Sequence, residues 1–183
     1  MRKPVLICII GKTCSGKDTL SYILDIHQGI KSLVSYTTRP KRDYEDDGEE
    51  HYFITEEEYN SKYKDEDKLA YTEINGYKYF TLYSQVMNTV GPNIYTYVID
   101  PTGYYDLKER FSDKIDIKTV LVLCDDKIRE ERYYNRENNV SIPFLERSQA
   151  ESAQFDDFEK NHIQECDVVL RTDKLNLLRL IYD

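Results

Sequence analysis

The sequence predicts an α/β fold around a parallel sheet, and three observations carry that prediction. Largely apolar runs at residues 5–10, 94–99 and 118–123 have the length of strands buried on both faces, and each stops at glycine or at polar residues. Segments with helical spacing follow each run, as strand–helix–strand units require. The first run passes into its helix through a glycine loop, Gly11-Lys12-Thr13-Cys14-Ser15-Gly16-Lys17.

The elements follow in order. Val5-Leu6-Ile7-Cys8-Ile9-Ile10 holds no polar side chain before Gly11. From Asp18 to about His27, Leu20, Ile23 and Leu24 recur at helical spacing. Leu33-Val34 is a short apolar piece, and residues 37–50 are polar and too irregular for an element. Tyr52-Phe53-Ile54 reads as a short strand. Thr55-Glu56-Glu57-Glu58 is a capping box, so a short helix starts there. Residues 69–74 and 77–81 form an antiparallel hairpin about Asn75-Gly76, a pair suited to the positive φ of a tight turn. The second buried strand ends at Asp100, with a helix at about 104–111. The third ends at Cys124-Asp125-Asp126, with a helix from Lys127. A polar stretch at 135–141 precedes a helix at about 143–160, with Pro143 in its first turn. Val168-Val169-Leu170 is a last short strand and 175–181 a last helix. The hairpin reads as an insertion over the edge of the core.

The 183 residues suit one domain with room for a core and a small insertion. A net charge of −9 argues against nonspecific DNA or RNA binding, which needs a basic face, though positive charge gathered locally still suits an anionic ligand. The four cysteines are scattered, and Cys8 and Cys124 lie in or beside apolar runs. They read as buried thiols of a reducing compartment, not a disulfide framework or a zinc site. No stretch approaches the roughly 20 apolar residues of a membrane span. The expectation is a cytoplasmic protein with no nucleic-acid or membrane partner, a monomer or a homodimer. The 17 tyrosines are read first as compositional bias.

The loop at 11–17 matches GxxxxGK between a buried strand and a helix. Glycines let backbone N–H groups converge on a phosphate, and the helix N-terminus adds positive potential. Gly11, Thr13, Cys14, Ser15 and Gly16 form the cradle, and Lys17 is expected on the β- and γ-phosphates. Asp18 stands where a Mg²⁺-binding hydroxyl usually follows the lysine, and Thr19 comes next. Asp18 either favours the helix dipole, worth about 0.3–1 kcal/mol, or holds Mg²⁺ through water.

Ser35-Tyr36-Thr37-Thr38-Arg39-Pro40-Lys41-Arg42 sets two guanidinium forks three residues apart, a pattern suited to phosphate oxygens. Alone, the loop reads first as a solvated charge cluster paired with the acidic residues at 43–47. With Gly48 and His51-Tyr52-Phe53 it completes S-x-T-T-R-x-x-R…G…YxF, some 25 residues after a phosphate loop. That pattern resembles the GMP-binding segment of guanylate kinases, and the resemblance extends over nearly the whole chain. It implies that Ser35, Arg39 and Arg42 hold the acceptor nucleotide. The family's phosphate-binding Tyr falls on His51, with Tyr52 beside it, and either could donate to phosphate.

The hairpin Ala70-Tyr71-Thr72-Glu73-Ile74-Asn75-Gly76-Tyr77-Lys78-Tyr79-Phe80-Thr81 resembles the family's E-x-A-x-x-x-G-N-Y-Y-G-T/S segment. The resemblance implies phosphate binding by Tyr79 and guanine recognition by Thr81. The family's guanine-reading Glu falls on Ala70, and its Gly before Thr81 falls on Phe80. Glu73 lies three positions on, so on the opposite strand face. Val98-Ile99-Asp100-Pro101-Thr102-Gly103 resembles the D-I-D-x-Q-G strand end, which implies that Asp100 meets the guanine edge near the metal. Its alternative is a helix N-cap. Arg132-Tyr133-Tyr134-Asn135-Arg136, with Arg147 beyond, resembles the lid's arginine pattern and implies closure over the transferring phosphoryl group. Arg132 has Glu130 and Glu131 beside it, so surface pairing is its alternative. Thr172 takes the place of an adenine-contacting Asn in a Y-D-x-x-x-x-N-D-like segment.

The resemblance therefore implies a P-loop three-layer core with a parallel sheet (1–34, 82–126 and 160–183), a small mixed-sheet nucleoside-monophosphate-binding insertion (35–81) and a helical lid (127–159). It implies ATP-dependent phosphorylation of GMP or dGMP. Lys17, Arg39, Arg136 and Arg147 would serve the transfer, and Arg132 and Thr172 would join the loop in holding ATP. Mg²⁺ would lie near Asp18, Thr19 and Asp100. The alternatives are altered base preference, from Ala70, and a non-catalytic protein-binding module of the same fold.

Overall fold

The computed structural model describes residues 3–43, 45–74, 76–87, 94–136 and 142–174. The expected helix at 175–181, the tip residue Asn75 and most of the polar stretch at 135–141 lie outside them.

The core is a four-stranded parallel sheet, in spatial order β6 (Ile94–Val98), β1 (Val5–Ile10), β7 (Asp116–Leu123) and β8 (Val168–Arg171). β1 lies centrally because its side chains can be buried on both faces: Leu6, Cys8, Ile9 and Ile10 are fully buried. Helix α1 (Lys17–Gln28) packs on β6 and β1. It ends at Gly29, whose φ of +67° lets the N–H groups of Gly29 and Ile30 turn back onto Asp25 O and Leu24 O. α4 (Pro101–Phe111), α5 (Asp126–Arg136) and α6 (Phe144–Asn161) complete the framework. Leu107 and Phe111 of α4 and Phe155 and Phe158 of α6 join the strand residues in one apolar core.

A second sheet is mixed, in order β3 (His51–Phe53), β2 (Ser35–Thr37), β5 (Tyr77–Leu82) and β4 (Lys68–Ile74). β2 and β3 are parallel, and β5 is antiparallel to both its neighbours. The hairpin and the mixed-sheet insertion are as expected, with Gly76 at φ +76° in the turn. Helix α2 (Glu56–Lys62) carries both halves of the capping box. Thr55 Oγ1 accepts from Glu58 N, and Glu58 Oε2 accepts from Thr55 N, each at 3.1 Å. A one-turn helix, α3 (Ser84–Met87), follows β5.

Three sequence expectations are corrected. Ser35–Thr37 is a strand and not part of an irregular loop: Thr37 is fully buried, and Tyr36 stacks on Phe80 at 5.2 Å. Helix α4, after β6, begins at Pro101 and not near 104 because Asp100 caps it, its side chain accepting from Gly103 N at 3.0 Å. Cys124 is only partly buried and its sulfur lies 3.4 Å from Arg132 Nη1, whereas Cys8 is buried. No described helix is long and apolar enough to cross a membrane.

Candidate active site

The glycine loop leaves β1 and enters α1, and two backbone features shape it. Gly11 lies so close to its surroundings that a Cβ would meet Ser15 Oγ at 2.5 Å and Val122 O at 2.7 Å. Gly16 caps α1 at φ +96°. Cys14 also enters the left-handed region, at φ +60°, which costs a non-glycine residue strain. Lys17 opens the helix, its ammonium 3.6 Å from the exposed carboxylate of Asp18.

Two groups tie this loop down from behind. Arg132 Nη1 donates to Cys14 O at 3.3 Å and Ser15 O at 3.4 Å, and Nη2 donates to Thr172 O at 3.0 Å. Thr172 Oγ1 donates to Ser15 O at 2.6 Å. Both side chains hold loop carbonyls, so Arg132 is not a surface ion-pairing residue and the Thr172 hydroxyl is committed to the loop. Arg147 reaches the loop from α6, with Nε 3.4 Å from Thr13 Oγ1. Arg136 ends α5 on the exposed side, and its charge opposes the burial that raises the Cys14 thiol pKa.

The second sheet brings a different set together. Arg39 Nε donates to Tyr79 Oη at 3.2 Å, while its two terminal nitrogens grip Glu45 at 2.9 and 2.8 Å. Glu45 also accepts from Arg42 N at 2.8 Å, and the Arg42 guanidinium lies 3.6 Å away. Burial, the largest single influence, would raise the Glu45 pKa, but the Arg39 hydrogen bonds, the Arg42 N–H and the two guanidinium charges together outweigh it and hold the carboxyl below its ordinary range. Ser35 Oγ lies 2.8 Å from His51 Nδ1. Burial, and then the Arg39 charge, push the His51 pKa down, so the free protein holds it neutral near pH 7. Tyr52 points away: it packs on Tyr36 at 4.7 Å and closes over Gly48. Strand alternation thus separates the two candidates and gives the inward position to His51.

A single cavity of about 720 Å³ joins the two sets. Gly11, Thr13 and Lys17 line one side, Ser35, His51 and Tyr79 another, and Arg147 with Gln154 comes from α6. Ala70 and Tyr97 form part of the wall, and Tyr97 Oη accepts from Thr81 Oγ1 at 3.0 Å. Phe80 is fully buried on the opposite face among Tyr36, Tyr59 and Tyr63, so it does not fill the cavity. Glu73 accepts from the Tyr71 hydroxyl at 3.3 Å and, although strand alternation sets it on the Phe80 side of β4, it also lines the cavity. Asp100 is both an N-cap and a cavity residue, its Oδ1 accepting from Gln154 Nε2 at 2.6 Å.

Two residues central to this geometry escaped the sequence reading, Arg129 and Glu151, whereas the alternative that paired the two arginines with the acidic residues at 43–47 is realised at Glu45. Nothing in the local sequence of Arg129 or Glu151 signals their burial. Arg129 Nη1 donates to Thr13 O at 3.0 Å and to Glu151 at 2.8 Å, and Nη2 donates to Ser148 Oγ at 3.1 Å. For Mg²⁺, no group of three or more His, Cys, Asp or Glu residues gathers among the described residues. Of the expected donors Asp18, Thr19 and Asp100, only Asp100 lines the cavity.

A parallel sheet whose central strand feeds a glycine loop and a helix N-terminus, open to a cavity, defines the P-loop class of nucleotide-binding α/β proteins. Within that class the chain belongs to the guanylate kinase family, whose model matches residues 1–177. It is 32% identical to the guanylate kinase of Thermotoga maritima over 117 residues, 63% of this chain and 56% of that one. It is 34% identical to that of Clostridium tetani over 119 residues, 64% of this chain and 57% of the relative. The chain thus spans a little over half the length of the curated relatives it matches. A guanylate kinase structure from Anaplasma phagocytophilum aligns with 99% of this chain and 83% of its own, with a TM-score of 0.68 at 17% identity, a likeness of fold.

Proposed function

We propose that the chain transfers the γ-phosphoryl group of ATP to a nucleoside monophosphate, with GMP or dGMP the best acceptor. The observation that carries this reading is the shared cavity, lined on one side by the phosphate loop and on another by Tyr79, whose hydroxyl accepts from Arg39 behind it. Phosphoryl transfer asks a protein mainly for alignment and charge neutralisation. Lys17 and the loop amides hold ATP, and Arg132 and Thr172 keep that loop in shape. Arg39, Arg42, His51 and Tyr79 hold the acceptor phosphate, with Ser35, Thr81 and Asp100 at the base. Arg136 and Arg147 meet the moving group, and Mg²⁺, when bound, neutralises charge between the phosphates. The 35–81 segment serves as the acceptor-binding region and 127–159 as the lid.

A second reading, relaxed base choice, is favoured by Ala70. It lines the cavity where the family resemblance sets a guanine-reading carboxylate. The non-catalytic module is disfavoured by Lys17, which lines the same cavity. A coupled assay of ATP against GMP, dGMP, AMP, CMP, UMP and dTMP tests all three. Turnover with GMP or dGMP first is expected, turnover led by another base supports the second reading, and no turnover with any acceptor rejects the kinase.

A further inference from the structure

We propose that Glu151 is a built-in occupant of the phosphate loop, which the terminal phosphate of a nucleotide must displace from Thr13 and Arg129. The inference rests on the kinase reading and adds a competitor to it. The Glu151 carboxylate accepts the backbone N–H of Thr13 at 3.1 and 2.9 Å through its two oxygens, and the Thr13 hydroxyl at 2.9 Å. One oxygen also accepts from Arg129 Nη1 at 2.8 Å. An amide, a hydroxyl and a guanidinium therefore converge on one anion, inside a loop whose amides are suited to phosphate. Glu151 lines the cavity together with Thr13, Lys17 and Arg147, so the carboxylate stands where the moving phosphoryl group would pass.

Arg129 explains why the exchange is feasible. Its side chain is 1% exposed, and a cation buried that deeply requires a counter-ion. Asp126, at 3.2 Å, is 74% exposed and supports it only from the rim. Glu151 is the buried partner, and an incoming phosphate can take its place on the same guanidinium without leaving the charge bare. The carboxylate and a polyphosphate cannot share the position, because like charges at contact distance repel strongly in a partly buried site. Helix α6 has a second tether, Lys12 Nζ to Asp156 at 2.7 Å and to Glu159 at 3.0 Å, so Glu151 can leave Thr13 while its helix stays on the loop. After exchange, Arg129 becomes a phosphate-binding arginine beside Arg147.

Isothermal titration of the full chain with ATP, with inorganic tripolyphosphate and with GMP tests this. Glu151→Gln keeps the shape and removes the charge. The expected result is a Kd roughly tenfold lower for ATP and for tripolyphosphate, with the Kd for GMP unchanged. Glu151→Asp keeps a counter-ion for Arg129 but draws the carboxylate back from Thr13, and a smaller tightening is expected. It carries the test if Glu151→Gln fails to melt cooperatively. Equal or weaker binding of ATP and tripolyphosphate in a folded variant overturns the inference and leaves the kinase reading standing. Tightening that extends equally to GMP also overturns it, since the effect would not belong to the loop. If the unchanged protein and its variants bind neither ATP nor GMP, the kinase reading falls and the inference with it.

Discussion

The two ends of the cavity are built by different means. The phosphate-loop end is one contiguous segment, and its shape comes from backbone: Gly11 where no Cβ fits, Gly16 at positive φ, and carbonyls held by Arg132 and Thr172. The other end is assembled from side chains on β2, β3, β4 and β5, residues as far apart in the chain as Ser35 and Tyr79 that meet only through strand pairing. Both ends hold an internal carboxylate in the free protein, Glu151 on Thr13 and Glu45 on Arg39. A backbone-built site depends on few side chains, whereas a side-chain-built site can change its chemistry at single positions. Ala70 and His51 are two such positions here.

The largest effect should come at the contiguous end. Lys17→Ala is expected to lower kcat by about 10³-fold, because the proposed transfer places the ammonium on the phosphates. Its ion pair is with the exposed Asp18, so the melting temperature should barely move. Near-normal turnover in the folded variant would show that the loop is not used for transfer.

Arg39 should show the opposite balance, binding and stability together. Charge-assisted hydrogen bonds are worth roughly 1.5–3 kcal/mol each, so Arg39→Ala is expected to raise the acceptor KM about 10- to 100-fold with the ATP KM changed far less. It also leaves the nearly buried Glu45 carboxylate with Arg42 as its remaining arginine partner, so stability should fall by less than the roughly 3–5 kcal/mol of a fully broken buried pair. Arg39→Lys should recover much of the stability and little of the acceptor affinity, because lysine supplies charge without the fork. Equal KM changes for both substrates would place Arg39 outside the acceptor end.

The same contrast decides what the sequence alone could reveal. The parallel strands and the loop were legible because each is a local pattern, an apolar run or a fixed spacing. β2 was not, since Ser35-Tyr36-Thr37 lacks an apolar run and becomes a strand only when Tyr36 finds Phe80 and Tyr52. The side of the strand on which His51 or Tyr52 would fall depended on that pairing. Arg129 and Glu151 are 22 residues apart on different helices, and nothing in either local sequence marks the ion pair.

Ala70 tests how far the side-chain end can be rewritten. Ala70 is 1% exposed, so Ala70→Glu buries a carboxylate that lacks a partner until a base arrives. The expected result is a less stable free protein that regains stability with GMP more than with AMP, since GMP offers N–H donors to the new acceptor. The ratio of kcat/KM for GMP over AMP should rise by roughly tenfold, the value of one charged hydrogen bond. Phe80 does not stand in the way, being packed on the opposite face. An unchanged ratio in a folded variant would remove Ala70 from the base site.

The smallest expected effect is a pH dependence at His51, and it separates the two ends because the phosphate loop holds no histidine. Burial and the Arg39 charge depress the His51 pKa in the folded, ligand-free protein, against the weaker opposing pull of Glu45 and Asp18. The unfolded chain therefore binds more protons at this position than the folded chain does, wherever the pH lies between the folded and unfolded values. Stability must then rise with pH across that window, and acidification from about pH 7 through the ordinary histidine value near 6.5 must weaken the fold. Glu45 acts in the same direction lower down: its depressed carboxyl contributes stability above the ordinary carboxylate range that is lost as pH falls through its folded value. The two contributions separate by window, so His51→Asn should flatten the melting temperature between about pH 7 and pH 5.5 while leaving the steeper loss below about pH 4.5. Asn offers the amide needed to keep a hydrogen bond with Ser35 and carries no proton to titrate. A slope between pH 7 and 5.5 that survives the substitution would show that the proton is taken up elsewhere.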